Sequence, residues 1–300
     1  MRVLITGACG FLGRRLIREL EERGHELRLL DRVRPEDATV YVPSSGARAA
    51  EPLVTDWPFV VAEILDAPAL RAAAEGMDAV VHLAAAVTGL PQYGVETFRD
   101  NALGTFIVLD AARLAGARRF LCASSINAYG TIFWRISGQP SPYVTMPLDE
   151  SFEPVPEDPY SLSKYVNEIT AAAFHRAYGI TTAAFRFAGV WTEAMYEQRL
   201  AEGLPPTTAW SDTLYQWVHV LDIATGLRQA LEAPDLPGHG VYTLGAADTR
   251  CPEPTLELLR RFRPDLAANV TAPLEGRAPL IAIDRARQTF GYNPRYRLGP

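Results

Sequence analysis

The sequence predicts an α/β fold built on a doubly wound parallel sheet. Three observations carry this. Short apolar runs alternate with amphipathic stretches through residues 1–190. The runs are continuous rather than alternating, as strands are when both faces of a sheet are covered. And a glycine turn, TGACGFLGRRL, sits between the first apolar run and the first amphipathic stretch.

The expected strands are RVLIT (2–6), ELRLLD (26–31), FVVAEI (59–64), AVVHLA (79–84), RFLCAS (119–124) and TTAAFRF (181–187). Helices are expected over 11–23, 67–75, 95–115 and 160–178. Strand–helix–strand repeats give right-handed crossovers and a parallel sheet. Residues 33–58 hold four prolines and little periodicity, and read as an irregular surface excursion. Residues 131–159 hold six prolines and read as a long loop, either a wall of a substrate pocket or a plain connector. YQWVHVLDIATGLRQAL (215–231) reads as a strand end and a helix, and GVYTLG (240–245) as one more strand. The expected division is a dinucleotide-binding unit, 1–190 plus about 215–247, and a small C-terminal substrate-binding cap, 191–214 and 248–300.

Composition narrows the function. With 300 residues and 48% hydrophobic content the chain can bury a large core. The net charge is −6 with no basic block, so no nucleic-acid partner is expected. No apolar run approaches the ~18 residues of a membrane span. Cys9, Cys122 and Cys251 are an odd number without a CxxC, which fits a reduced, cytoplasmic setting. The five histidines lack ligand spacing, so no metal site is expected.

Gly7, Gly10 and Gly13 form a GxxGxxG after a strand and before a helix. Such a turn lets a pyrophosphate approach the backbone, at a helix N-terminus that offers free N–H groups and a positive dipole end. Asp31 ends the second strand, roughly the 20 residues downstream expected of a ribose-binding carboxylate. It would also repel a 2′-phosphate. That favours NAD, while Arg32 beside it leaves NADP open. The whole reads as a Rossmann-type dinucleotide fold.

The stretch YSLSK holds Lys164, the sole lysine among 29 basic residues. Tyr160 lies four residues before it, on the same helix face. A cation near a phenol stabilises the phenolate and lowers its pKa. A compact ammonium can also hold ribose hydroxyls, a task that suits arginine's planar fork poorly.

TGACGFLG, Asp31, EILD (63–66), HLAAA (82–86), NALGT (101–105), ASSINAYG (123–130), PYSLSK (159–164) and WVHVLDIA (217–224) together resemble the extended, sugar-epimerase-like branch of the short-chain dehydrogenase/reductase superfamily. The resemblance implies Ser125 as catalytic serine, Tyr160 as acid/base and Lys164 as the cation that holds the cofactor. It places Phe11 and Leu12 at the glycine turn, Glu63 and Ile64 by the adenine, and Leu83, Ala84 and Ala85 along the dinucleotide cleft. Asn101 and Ser124 would face the cofactor, and Phe187 and Val190 the nicotinamide end. It implies a homodimer through helices 95–115 and 160–178. Candidate substrate contacts are Ser125, Asn127, Trp191 and Arg199, with Asn127 equally able to cap a turn. Trp134, Arg135, Trp191 and Trp210 would line the sugar pocket or pack the cap.

Three departures narrow the resemblance. Ile126 and Asn127 replace the acidic pair usual in dehydratases. Gly189 stands where nucleotide-sugar enzymes usually have asparagine, and Tyr215 where they usually have a diphosphate-pairing arginine. The expected activity is therefore hydride transfer at a secondary alcohol or ketone of a sugar or sugar acid. The alternatives are a sugar or nucleotide-sugar epimerase with tightly bound NAD, and a non-catalytic dinucleotide sensor.

Overall fold

The computed structural model describes residues 1–42, 47–130 and 135–299. Its strands are β1 (Arg2–Thr6), β2 (Glu26–Asp31), β3 (Thr39–Val42), β4 (Ala47–Ala50), β5 (Phe59–Val61), β6 (Ala79–His82), β7 (Arg119–Ser125), β8 (Thr181–Phe187), β9 (Val190–Trp191), β10 (Val218–His219) and β11 (His239–Leu244). Its helices are α1 (Phe11–Glu21), α2 (Ala67–Ala74), α3 (Gly94–Phe98), α4 (Gly104–Leu114), α5 (Pro159–Tyr178), α6 (Glu193–Glu202), α7 (Val220–Glu232), α8 (Thr255–Phe262), α9 (Pro264–Ala267) and α10 (Asp284–Phe290).

Seven strands form one parallel sheet in the order β11-β8-β7-β6-β1-β2-β5. Side chains alternate across it with period two. Val3 and Ile5 join one core with Leu12, Leu16 and Leu20 of α1 and Ile223 and Leu227 of α7. Leu4 turns to the opposite core, with Leu70 of α2, Leu109 of α4 and Phe174 of α5. Both faces are covered, which is why the strands read as unbroken apolar runs. The chain leaves β1 towards β2 and β5, then returns to β6 on the other side of β1 and continues outward. That reversal opens a crevice at the carboxyl ends of β1 and β6.

The structure corrects several expected boundaries. The third and fourth runs end as strands at Val61 and His82, and the backbone beyond them, 62–64 and 83–86, lines the crevice. The helix expected over 95–115 is α3 and α4 joined by a π-helical turn, Arg99–Leu103. The excursion 33–58 contains the antiparallel pair β3–β4, with Thr39 opposite Ala50. Residues 135–158 form no helix or named strand. They are bridged to the C-terminal part of the chain at Met146–Val270 and Leu148–Ile281. Met146, Leu148, Leu259 and Ile281 share the core that covers the α1 face of the sheet.

Candidate active site

The site begins at the turn after β1. Gly7 has φ +75°, and a Cβ there would sit 2.7 Å from the Ala84 nitrogen. A Cβ on Gly13 would lie 2.3 Å from the Gly7 carbonyl oxygen. These two positions therefore exclude side chains, and the close approach of α1 to the turn depends on it. Gly10 caps α1 without a side-chain bond, and the first turn carries no acid. Its N–H groups and the positive end of the dipole are thus open to an anion. Asp31 closes the turn from the side: its Oδ2 accepts from the Cys9 N–H at 3.0 Å and its Oδ1 from the Val33 N–H at 3.1 Å.

From this turn the cleft runs two ways. One limb is lined by Asp31, Arg32, Glu63, Ile64, Leu83, Ala84 and Ala85, joined by Ala62, Ala86 and Asp100. The other passes Gly10, Phe11, Leu12 and Gly13 to Ser125, Asn127, Tyr160, Lys164, Phe187 and Val190. The shared wall is Gly7, Gly10, Leu83 and Ala85. An elongated ligand can span both limbs, with an anionic middle at the uncapped helix end. These residues fit a dinucleotide.

At the far end, Asp158 caps α5, its Oδ1 accepting from the N–H groups of Tyr160 and Ser161, both at 2.9 Å. Pro159 takes the first helical position, where its missing N–H costs nothing. This seats Tyr160 in the first turn and Lys164 one turn on. Tyr160 shares a hydrogen bond with Ser125, whose Oγ also accepts the Asn127 N–H at 3.1 Å. The Lys164 amine is buried, donates to the Ala123 carbonyl at 3.0 Å, and lies 5.6 Å from the Tyr160 ring centre. Burial lowers its pKa to about 8, with Cys122 acting in the other sense.

The phenol corrects the expectation drawn from spacing alone. Burial pushes Tyr160 up to about 12, and the nearby Asp158 carboxylate adds to this, while the Ser125 hydrogen bond works against both. The ammonium donates to the Ala123 carbonyl, and desolvation governs the phenol. At neutral pH the phenol is a proton donor.

Other candidate residues are held by bonds within the protein or lie off the cleft. The Ser124 hydroxyl, expected at the cofactor, borders the cleft but donates to Glu168 Oε1 at 2.6 Å. Glu168 in turn holds Arg186 through two bonds of 2.9 and 2.8 Å. Asn101 stands behind the cleft wall: its Oδ1 accepts from the Ala86 N–H at 2.8 Å, and its Nδ2 donates to the Ala86 carbonyl at 2.9 Å and to Ser163 Oγ at 3.0 Å. The π-helical turn aims that amide at the loop. Trp191 and Arg199 are not among the lining residues, because Trp191 packs on Trp217 with ring centres 4.9 Å apart and Arg199 pairs with Glu202 along α6. Trp210 donates to Asp212 and Arg135 pairs with Glu157, both outside the lining. Trp134 lies outside the described residues. None of residues 135–158 lines the cleft, so the described part of that loop is not its wall. The Tyr215 hydroxyl donates to the Ala209 carbonyl at 2.7 Å.

Sequence reasoning missed Thr39, Val40 and Arg48, which border the second limb from the β3–β4 pair. No periodic signal marks them, since β4 is exposed throughout. It also missed Asp158, which the Asp-Pro pair before a helical pattern would have revealed. Among the described residues, no helix is long and apolar enough to cross a membrane, and no group of His, Cys, Asp and Glu could hold a metal ion.

Comparison with known proteins places this geometry. The chain is 28% identical to a dTDP-glucose 4,6-dehydratase of Streptomyces antibioticus over 98% of its own length and 88% of the relative's. It is 27% identical to a uronate dehydrogenase of Pseudomonas syringae pv. tomato, over 83% of its length and 75% of the relative's. A crystal structure of a short-chain dehydrogenase/reductase superfamily protein from Agrobacterium tumefaciens with bound NAD superposes with a TM-score of 0.68 at 22% identity, covering 99% of this chain and 94% of the other. The profile of the NAD dependent epimerase/dehydratase family matches residues 3–245, a span that takes in every residue lining the cleft, and the chain belongs to that family.

Proposed function

We propose that the chain is an NAD-dependent oxidoreductase that moves a hydride at a secondary alcohol or ketone of a sugar or sugar acid, through Ser125, Tyr160 and Lys164. The observation that carries this is their convergence in one limb of a cleft whose other limb ends at Asp31. Bound NAD supplies the hydride acceptor. In the oxidising direction Ser125 would hold the substrate oxygen and Tyr160, once its own proton has gone to solvent, would take the alcohol proton as a phenolate while the hydride leaves the same carbon. In the reducing direction the neutral phenol returns that proton to the carbonyl oxygen. Lys164, charged at pH 7, holds the cofactor's ribose.

Asp31 supports NAD over NADP, since a second anion beside its carboxylate is repelled. Dehydration is disfavoured because no acid lines the catalytic limb among the described residues. Nucleotide-sugar binding is disfavoured because Gly189 and Tyr215 offer no diphosphate clamp, and the Tyr215 hydroxyl is already engaged. Epimerisation remains the second reading, favoured by family membership and requiring the same three residues. The homodimer proposed through 95–115 and 160–178 is supported by exposed apolar side chains there, among them Val95, Leu103, Phe106, Leu162 and Ile169.

The test is absorbance at 340 nm with NAD and a panel of sugars and uronic acids. Reduced cofactor with at least one substrate, lowered ~10²–10⁴-fold in Tyr160→Phe, is expected. Interconversion of epimers without net reduction, by protein that purifies with NAD, favours the second reading. Full activity of Tyr160→Phe defeats both.

A further inference from the structure

The β3–β4 pair brings a cation to the catalytic limb that the glycine turn does not itself provide. A dinucleotide's pyrophosphate carries two negative charges, and α1 meets it with N–H groups and a dipole alone. The two arginines in the first turns of α1 are engaged elsewhere. Arg14 is buried, and its guanidinium donates to the carbonyls of Cys9 at 3.0 Å and Pro52 at 3.3 Å, and to that of Glu51. Arg15 forms a two-bond pair with Glu193 at 2.9 and 3.2 Å. Lys164 is held at the far end on the Ala123 carbonyl.

Arg48 differs from all of these. It borders the same limb as Gly10 and Gly13, and no acid among the described residues lines that limb. Among the described residues its guanidinium bonds within its own strand pair, to Thr39 Oγ1 at 2.7 Å and the Thr39 carbonyl at 3.0 Å. No described carboxylate pairs with it. Its placement is also built in. The buried Arg14 stitches the exit of β4, residues 51–52, to α1, and Glu51 N–H donates to the Ala38 carbonyl at 2.9 Å at the base of the pair. The same arginine thus fixes the glycine turn and the strand pair above it.

We propose that Arg48 is the side-chain cation for the cofactor's pyrophosphate, delivered across the cleft by β3–β4 and aimed by Thr39. This rests on the NAD reading above. A guanidinium matches paired phosphate oxygens by its planar fork.

The test is titration calorimetry of NAD binding to the intact protein, wild type and variants, at two salt concentrations. Arg48→Gln is expected to weaken NAD roughly ten- to hundred-fold, the range of one charge-assisted hydrogen-bond pair, and to flatten the salt dependence. Arg48→Lys, which keeps the charge, is expected to retain most of the affinity and all of the salt dependence. Wild-type protein that binds NAD no better than Arg48→Gln overturns the role of Arg48 alone. Unchanged NAD affinity with a raised KM for a uronic acid over a neutral sugar also overturns it, assigning the cation to the substrate. Wild-type protein that does not bind NAD at all overturns the functional reading and this inference with it.

Discussion

Lys164 and Tyr160 show what i, i+4 spacing conveys and what it omits. The pair was legible because a lone lysine one turn after a tyrosine has few reasons to exist. Its electrostatics were not legible, because they depend on burial and on the Ala123 carbonyl, 41 residues away in sequence. The same holds for Ser124. Its partner Glu168 lies 44 residues on, and Glu168 and Arg186 are 18 apart, so no local pattern links them. Their side chains are only 4% and 3% exposed, and the Arg186 guanidinium stacks 4.3 Å from the Tyr129 ring centre. Removing one charge strands the other in the core. Glu168→Gln should therefore lower unfolding stability by about 3–5 kcal/mol, read from urea denaturation. A loss under about 1 kcal/mol would mean that the pair is solvated or dispensable.

Among elements, β1, β2 and β8 keep their expected bounds, while the fully buried β6 ends before its apolar run does, because the chain there turns to line the crevice. β3–β4 was missed because a short pair with an exposed strand leaves no apolar pattern to read. The π-helical turn was missed for another reason: it preserves the helical periodicity on either side while reorienting one amide, Asn101, towards the Ala86 loop. α4 and α5 present apolar side chains outward, with Phe106 48% and Ile169 47% exposed. If these faces pair two copies of the chain, a charge at the seam should separate them. Ile169→Glu is expected to halve the mass in sedimentation equilibrium while leaving the circular dichroism spectrum intact. A wild-type protein that sediments as a monomer would remove the premise.

For the molecule as a whole, the sheet order is the decisive fact, since reversal at β1 and β6 is what brings residues 7 and 164 to one cleft. A parallel sheet with right-handed crossovers was accessible from sequence; the strand order, and the packing of residues 135–158 against the C-terminal part, were not. Burial also sets the response to acid. It lowers the pKa of His82 to about 3 and of His219 to about 4. His82 sits between the hydroxyls of Thr6 and Thr105, at 2.7 and 3.1 Å. Both folded values lie below the ordinary 6.5, so the unfolded chain binds more protons in that window, and stability is full above pH 6.5 and falls as pH drops towards 4. Each histidine contributes a slope approaching about 1.4 kcal/mol per pH unit. The half-buried Glu150 and the buried Asp222, both raised by desolvation, act in the opposite sense. The urea midpoint should decline between pH 6.5 and 5, and a flat profile there would contradict the burial of both imidazoles. The solitary amine of Lys164, only 2% exposed on a helix held by β7 and β8, also makes the chain its own clock. A lysine-specific protease has a single bond to cut, after residue 164, and reaches it only when α5 lifts away. The rate at which two fragments appear thus times the opening of the catalytic helix.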